Sequence, residues 1–181
     1  MKFKFLIIVL ACCSLLSCEE DQINEEEVVN ATSENLISFS SSEGDFLFAN
    51  DINVFNSYLL GPNQDQLSLV FMSDEGLICE IHILGAGLLE RSLPVDLSDG
   101  VTGTAEVQLV DPSKDVESTF GPNDDVNFVG YTMQGLSFTV ESFESDIIKG
   151  TFSGTISTRT GRQMTIQEGR FDVLVDIEDN R

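Results

Sequence analysis

The chain has 181 residues, of which 31 are acidic, nine are lysine or arginine and one is histidine, and its formal net charge is −22 at pH 7. A charge this negative repels phosphate backbones and anionic membrane surfaces, so the composition argues against nucleic-acid binding by charge neutralisation. The length suits one ordinary domain, and a hydrophobic fraction of 41% is enough to build a packed core.

The first seventeen residues have the pattern of a signal peptide. Lys2 and Lys4 carry positive charge, and the apolar stretch at 5–16 is too short to span a bilayer stably. We therefore predict that residues 1–17 are removed during export. Their removal takes away two lysines and no acidic residue, so the remaining chain is more acidic still.

The segment ends in Leu-Leu-Ser-Cys, with the cysteine at position 18. This ending resembles the lipobox of bacterial lipoproteins. The resemblance implies that Cys18 becomes a lipidated N-terminus with three acyl chains, which anchor firmly where a single chain binds only marginally. We expect the membrane to be a partner of this chain through the lipid on Cys18, and the outer membrane to be its location.

Residues 18–35 are predicted to form a lipidated cysteine followed by an acidic, flexible tether. The segment holds six glutamates and one aspartate, and such a composition favours an extended, solvated chain. Its first acidic residues, Glu19, Glu20 and Asp21, resemble the surface-export signal of lipoproteins from the Bacteroidetes lineage. That resemblance implies a domain facing the cell exterior, whereas simple solubility of the cluster would leave the periplasmic face open as an alternative.

The remainder, 36–181, is predicted to be a single all-β domain. Apolar residues recur there with period two, and no window of a dozen residues has a helical period. The pattern is typical of an antiparallel β-sandwich or barrel of about eight to ten strands. The segment 49–60 fits either a strand or a short helix over one open end. Strands are predicted at 67–72, 77–84, 105–110, 136–141, 148–156 and 171–177, and turns at 61–65, 98–103, 111–115 and 121–127.

A long C-terminal hairpin is predicted over 150–175, with a polar turn at 159–162. In each half a glycine and a phenylalanine are two residues apart and share one strand face; the pairs are Gly150 with Phe152 and Gly169 with Phe171. A glycine beside a large ring lets a neighbouring aromatic side chain lie across the backbone. The phenylalanines are therefore expected to anchor the core.

The runs Gly-Thr-Phe-Ser-Gly at 150–154 and Gly-Arg-Phe-Asp-Val at 169–173 resemble the ending of a group of small Bacteroidetes lipoproteins of unknown function. The apolar stretches at 67–71, 77–84 and 87–94 occur in the same order as in that group. The resemblance implies a shared β topology and assigns no catalytic residue. A lipocalin-like barrel is a neighbouring possibility, but the chain has no tryptophan and lacks that group's usual Gly-x-Trp motif.

Few residues of the domain are candidates for chemistry. Cys79 is the one thiol left after export and lipidation, so no intrachain disulfide is predicted. His82, the only histidine, is three residues further along the same predicted strand and thus on the opposite face, which argues against a Cys–His dyad. One histidine and one cysteine are also too few for a zinc site.

Calcium suits an acidic exported protein, and one loop offers oxygen ligands for it. The spacing there matches neither an EF-hand nor a glycine–aspartate repeat, so ordinary turn chemistry is the favoured interpretation and no metal or other cofactor is predicted. The residues concerned are Asn123, Asp124, Asp125 and Asn127, followed by Asp111 and Asp115.

Together these observations predict a membrane-anchored, surface-exposed lipoprotein that is not an enzyme and that binds a glycan, a small ligand or an envelope partner. Its binding site is expected at an open end rimmed by the loops at 61–65, 98–103 and 121–127. The alternative is a structural or accessory subunit of an outer-membrane or periplasmic assembly. That role would need one contiguous outward apolar patch, comprising Val70, Met72, Val110 and Leu174.

Overall fold

The computed structural model describes residues 35–49, 56–61, 64–112 and 127–181. Predictions about the signal peptide, Cys18, the export signal at 19–21 and nearly all of the tether concern residues outside these ranges. The described part is nearly all β and forms one curled sheet, a half-barrel. This confirms the all-β prediction. Among the described residues, no helix is long and apolar enough to cross a bilayer.

The strands of the described part fall into two halves along the chain. The first half comprises β1 (Leu36–Ser41), β2 (Gly44–Ala49), β3 (Ser57–Leu60), β4 (Asp65–Met72), β5 (Ile78–Leu84) and β6 (Val95–Asp96). The second half comprises β7 (Thr104–Val110), β8 (Phe128–Tyr131), a 3₁₀ turn (Thr132–Gln134), β9 (Leu136–Glu144), β10 (Ile147–Ser157), β11 (Gln163–Leu174) and β12 (Asp176–Asp179).

Ten strands follow one another across the sheet, in the order β12-β3-β4-β5-β7-β8-β10-β11-β1-β2, and β9 pairs with β10 and β6. The described pairs are antiparallel except β12 with β3, which is parallel. The predicted strand at 171–177 is therefore divided between β11 and β12. The division falls at Val175, whose N–H donates to the carbonyl of Asp146, while the next N–H, of Asp176, donates to the carbonyl of Asn56. This bend carries the chain from β11 to β3 and curls the sheet.

The core lies inside the curl and is built from alternate residues of each strand. In β5, Cys79, Ile81 and Ile83 are buried, whereas Glu80 and His82 on the other face are partly exposed. This alternation is the one that the sequence predicts for a sheet with a single buried face. Phenylalanine rings continue the core across β9, β10 and β11, where the ring centroids of neighbouring residues are 5.4 to 6.0 Å apart.

The C-terminal hairpin is confirmed and its glycine–phenylalanine pairs are reciprocal. Gly150 of β10 faces Phe171 of β11, and Phe152 of β10 faces Gly169 of β11. A Cβ atom added to Gly150 would lie 2.4 Å from Cζ of Phe171, and one added to Gly169 would lie 2.7 Å from Cε2 of Phe152. Each ring thus lies across the backbone of the glycine opposite, as expected for aromatic cover of a strand glycine.

Candidate functional site

The main groove of interest lies on the outward face of the sheet, where β5, β7 and β8 are neighbours and the 3₁₀ turn follows β8. We call it the Tyr131 groove, and its volume is about 250 Å³. The outward side chains lining it are His82, Leu84, Thr104, Glu106, Tyr131, Met133 and Gln134.

Strand register places three of these side chains in one row. His82 of β5 is paired with Glu106 of β7, and Glu106 is paired with Tyr131 of β8. Directly opposed residues of antiparallel strands have their side chains on one face and close enough to interact. The row therefore presents an imidazole, a carboxylate and a phenol to solvent from the rigid part of the sheet.

Apolar surface is exposed beside this polar row. Tyr131 is 41% exposed, Met133 71% and Leu84 37%. Partial burial of the phenol, together with the charge of Glu106 and a hydrogen bond to it, raises the pKa of Tyr131 above its ordinary value. The ring is therefore neutral at physiological pH, with its hydroxyl held by Glu106 and much of its body open to a ligand.

A chain of three polar side chains adjoins the groove. Ser68 Oγ lies 3.2 Å from His82 Nδ1, and His82 Nε2 lies 3.2 Å from Glu80 Oε2. A carboxylate only accepts, so Nε2 carries the proton and the Ser68 hydroxyl donates to Nδ1 when the ring is neutral. Both ring nitrogens are engaged, and the imidazole is held in one orientation.

The order serine, histidine, glutamate invites comparison with a nucleophile, its base and the group that orients the base. Acyl transfer also needs N–H donors aimed at the developing oxyanion. Ser68 and His82 lie on β4 and β5, which are paired on both sides, β4 with β3 and β5, and β5 with β4 and β7. Their backbone N–H groups therefore point along the sheet into the ladders rather than out of its face. The arrangement is suited to hydrogen bonding with a ligand.

The predicted separation of Cys79 from His82 is confirmed. Cys79 is 0% exposed inside the core, and His82 is on the outward face. Burial, with a smaller contribution from the charge of Glu80, raises the pKa of the Cys79 thiol well above its ordinary value. This cysteine behaves as a small core residue.

Of the residues considered for calcium, the structure describes Asp111 and Asn127, while 115 and 123–125 lie outside the described ranges. Among the described residues, no three histidine, cysteine or acidic side chains come together as metal ligands.

One of the three predicted rim loops adjoins the Tyr131 groove. In the loop 98–103, a Cβ atom added to Gly100 would lie 2.6 Å from Cγ of Met133, so this loop packs against a groove residue. Positions 62–63 and 121–126 lie outside the described residues. Sequence reasoning missed the row His82, Glu106 and Tyr131, although each residue falls at an outward position of the period-two pattern.

The outward apolar residues predicted for a partner surface are divided by the strand register. Met72 and Val110 are the neighbours of Ile78 on either side, so these three form one cross-strand row, which we call the apolar row. Val70 lies two residues before Met72 on the same face of β4. Leu174, 54% exposed, lies on β11, three positions from β7 in the strand order.

The fold and the groove define a β half-barrel domain with an aromatic and polar groove on its outer face. No protein-family model matches the chain, and neither a curated protein nor a solved structure matches it. The resemblance to small Bacteroidetes lipoproteins therefore stays a prediction that rests on the residues quoted for it.

Proposed function

We propose that the chain is a lipid-anchored, surface-exposed and non-catalytic domain that binds a neutral glycan in the Tyr131 groove. The observation that carries the proposal is the exposed Tyr131 ring beside the ordered side chains of His82 and Glu106. Ligand sites of small molecules typically combine apolar or aromatic surface with a few well-placed polar groups.

The chemistry of a sugar matches both parts of the groove. Its hydroxyl groups each donate and accept, and the groove offers the acceptor carboxylate of Glu106, the amide of Gln134 and the imidazole of His82. The C–H face of a sugar ring is apolar and packs against an aromatic ring such as that of Tyr131. An aromatic side chain of this kind supplies a large apolar area and a polar tip at once.

Charge favours a neutral glycan over an anionic one. The whole chain carries a formal charge of −22, and Glu106 lines the groove while Glu80 is bound to His82 beside it. An anionic sugar would have to approach against this field, which raises the association rate only for ligands of opposite sign.

The anchor is supported by the sequence alone. If Cys18 is the lipidated residue, Cys18→Ser should abolish metabolic labelling with a radioactive fatty acid and retain residues 1–17 on the chain. Replacement of Glu19, Glu20 and Asp21 by alanine should leave labelling intact, because these residues follow the modified cysteine. Membrane anchorage of Cys18→Ser equal to that of the native chain would contradict the proposal.

The binding proposal is tested on a glycan array with the purified full-length chain, followed by calorimetric titration. Tyr131→Ala should weaken the dissociation constant of a bound neutral glycan roughly five- to tenfold, because aromatic contacts contribute about 1 kcal/mol beyond area burial. Tyr131→Phe keeps the ring and should stay near native affinity. Leu47→Ala, which truncates a side chain that is 62% exposed on β2, is the matched control and should change nothing. Absence of binding to every neutral glycan on the array would overturn the proposal.

A second candidate, a structural or accessory subunit, is favoured by the apolar row of Met72, Ile78 and Val110. This row lies on β4, β5 and β7, where a flat outward surface is available to an envelope protein. The two candidates are separated by Ile78→Asp, which should abolish co-purification of a partner in the accessory role. The same variant should leave glycan binding by the Tyr131 groove intact.

A further inference from the structure

A second groove lies on the outward face of β9, β10 and β11. We call it the hydroxyl groove, and its volume is about 330 Å³. Its polar lining consists of Ser137, Thr139, Thr151, Ser153, Glu168 and Arg170.

A β-bulge in β11 shapes this groove. Between the pairs Phe152 with Gly169 and Gly154 with Ile166, β11 has one more residue than β10, and it has one more than β1 over the same stretch. Two consecutive residues, Gln167 and Glu168, are consequently exposed between the buried Ile166 and Gly169. Bulges redirect side chains in this way and recur beside functional sites.

Glu168 keeps its place in the groove against a local preference. Its φ is 51°, in the left-handed region that glycine adopts without strain and that disfavours other residues. A glycine would satisfy the bulge better, so the presence of a carboxylate here indicates a role for that side chain beyond folding.

The lining of the hydroxyl groove suits a ligand rich in hydroxyl groups. The hydroxyls of Thr151 and Ser153 both donate and accept, Glu168 only accepts, and Arg170 only donates. The carboxylate and the guanidinium leave no net charge on the lining, which again favours a neutral ligand. Arg170 is itself held, since its Nε donates to Ser38 Oγ across 3.1 Å.

The two grooves follow one another along the chain and across one loop. Gln134 lines the Tyr131 groove, and Ser137, three residues later, lines the hydroxyl groove. Ser98 Oγ lies 3.2 Å from Ser137 Oγ, while Gly100 of the same loop packs against Met133. The loop 98–103 thus adjoins residues of both grooves on the outward face.

We propose that the hydroxyl groove is a second subsite, and that both grooves together hold one extended, neutral oligosaccharide. This inference rests on the proposed function of the Tyr131 groove. A short sugar would occupy the Tyr131 groove alone, and a longer one would continue past Ser137 to reach Glu168 and Arg170.

The test compares the disaccharide with the hexasaccharide of the neutral glycan that binds on the array, by calorimetric titration of the purified full-length chain. The hexasaccharide should bind native protein at least tenfold more tightly than the disaccharide. Glu168→Gly should weaken hexasaccharide binding roughly tenfold, about what one charge-assisted hydrogen bond supplies, and leave disaccharide binding unchanged. Because glycine suits the bulge, the melting temperature of Glu168→Gly should equal or exceed that of the native chain.

Ser145→Gly is the matched control. Ser145 also has a positive φ, 52°, and lies in the exposed turn between β9 and β10, outside both grooves. It should bind both sugars like the native chain. Equal affinity of native protein for the two sugar lengths, or native hexasaccharide binding by Glu168→Gly, would overturn the second subsite while leaving the Tyr131 groove standing. Failure of every array glycan would instead overturn the proposed function itself.

Discussion

At the scale of single residues, the glycines of the C-terminal hairpin are the most demanding positions. A Cβ atom on Gly150 would lie 2.3 Å from the carbonyl oxygen of Thr139 and 2.4 Å from the Phe171 ring. Gly150→Ala must therefore displace backbone as well as a core ring, and we expect a loss of about 2 to 3 kcal/mol in the free energy of unfolding, as for other overpacked cores. Thr151→Ala, at the exposed position next to it, should stay within about 0.5 kcal/mol of native. Urea denaturation of the two variants measures the difference, and equal stabilities would contradict the packing.

Tyr58 is the buried counterpart of Tyr131. It is 1% exposed, its hydroxyl donates to Asp65 Oδ2 at 2.6 Å, and it accepts from the N–H of Leu88 at 3.1 Å. Burial first, then the hydrogen bond to Asp65 and the charge of that carboxylate, raise the pKa of Tyr58 well above its ordinary value of 10.0.

This raised pKa predicts a specific loss of stability in alkali. Below pH 10 the phenol is neutral in both the folded and the unfolded chain, so its contribution is fully present. Above pH 10 it ionises only when unfolded, and stability falls as pH rises. Tyr58→Phe should lower the free energy of unfolding by about 1 to 2 kcal/mol at pH 7, because it leaves Asp65 and Leu88 without their partner. Its stability should then decline less steeply than native between pH 10 and 11, and an unchanged slope in urea titrations would contradict the assignment.

Residue patterns predicted some of these roles and not others. The spacing of Gly150, Phe152, Gly169 and Phe171 was sufficient to predict their shared faces, because a strand alternates strictly. It did not distinguish Tyr58 from Tyr131, since both are single tyrosines in short apolar strands. Which of them is exposed depends on the strands and loops that cover it, and those contacts are distant in sequence.

At the scale of elements, period two predicted the long strands, and the breaks between them went unpredicted. Strand β5 was expected over 77–84 and is observed over Ile78–Leu84. The break at Val175 depends on hydrogen bonds that reach back to Asp146 and Asn56, so no local signal marks it. The left-handed Gly135, with φ of 99°, ends the 3₁₀ turn before β9 and likewise depends on its surroundings.

Strand β12 offers a test of how the curled sheet is closed. All four of its residues are exposed, yet it covers the edge of β3 by parallel pairing. Deletion of 176–181 should lower the thermal midpoint and increase aggregation, because β3 then becomes an unprotected edge. Ile177→Ser keeps the backbone pairs and should leave the thermal midpoint within about 2 °C of native. Equal midpoints for the truncated and native chains, measured by differential scanning calorimetry, would show that β12 adds no stability.

At the scale of the whole molecule, the sequence predicts location more directly than ligand. The address depends on a short local pattern that ends at Cys18, and a local pattern is readable without a fold. The two grooves depend on which strands become neighbours, and only the register brings His82, Glu106 and Tyr131 into one row. The grooves therefore had to be found in the structure.

The central claim is that this domain is held by lipid and presented to the cell exterior, where a glycan can reach its grooves. The most direct measurement is protease accessibility on intact cells, comparing the native chain with the variant in which Glu19, Glu20 and Asp21 are alanine. We expect cleavage of the native domain and protection of the variant, with an equal amount of lipidated protein in both. Protection of the native domain until the outer membrane is opened would contradict surface display and place the domain in the periplasm.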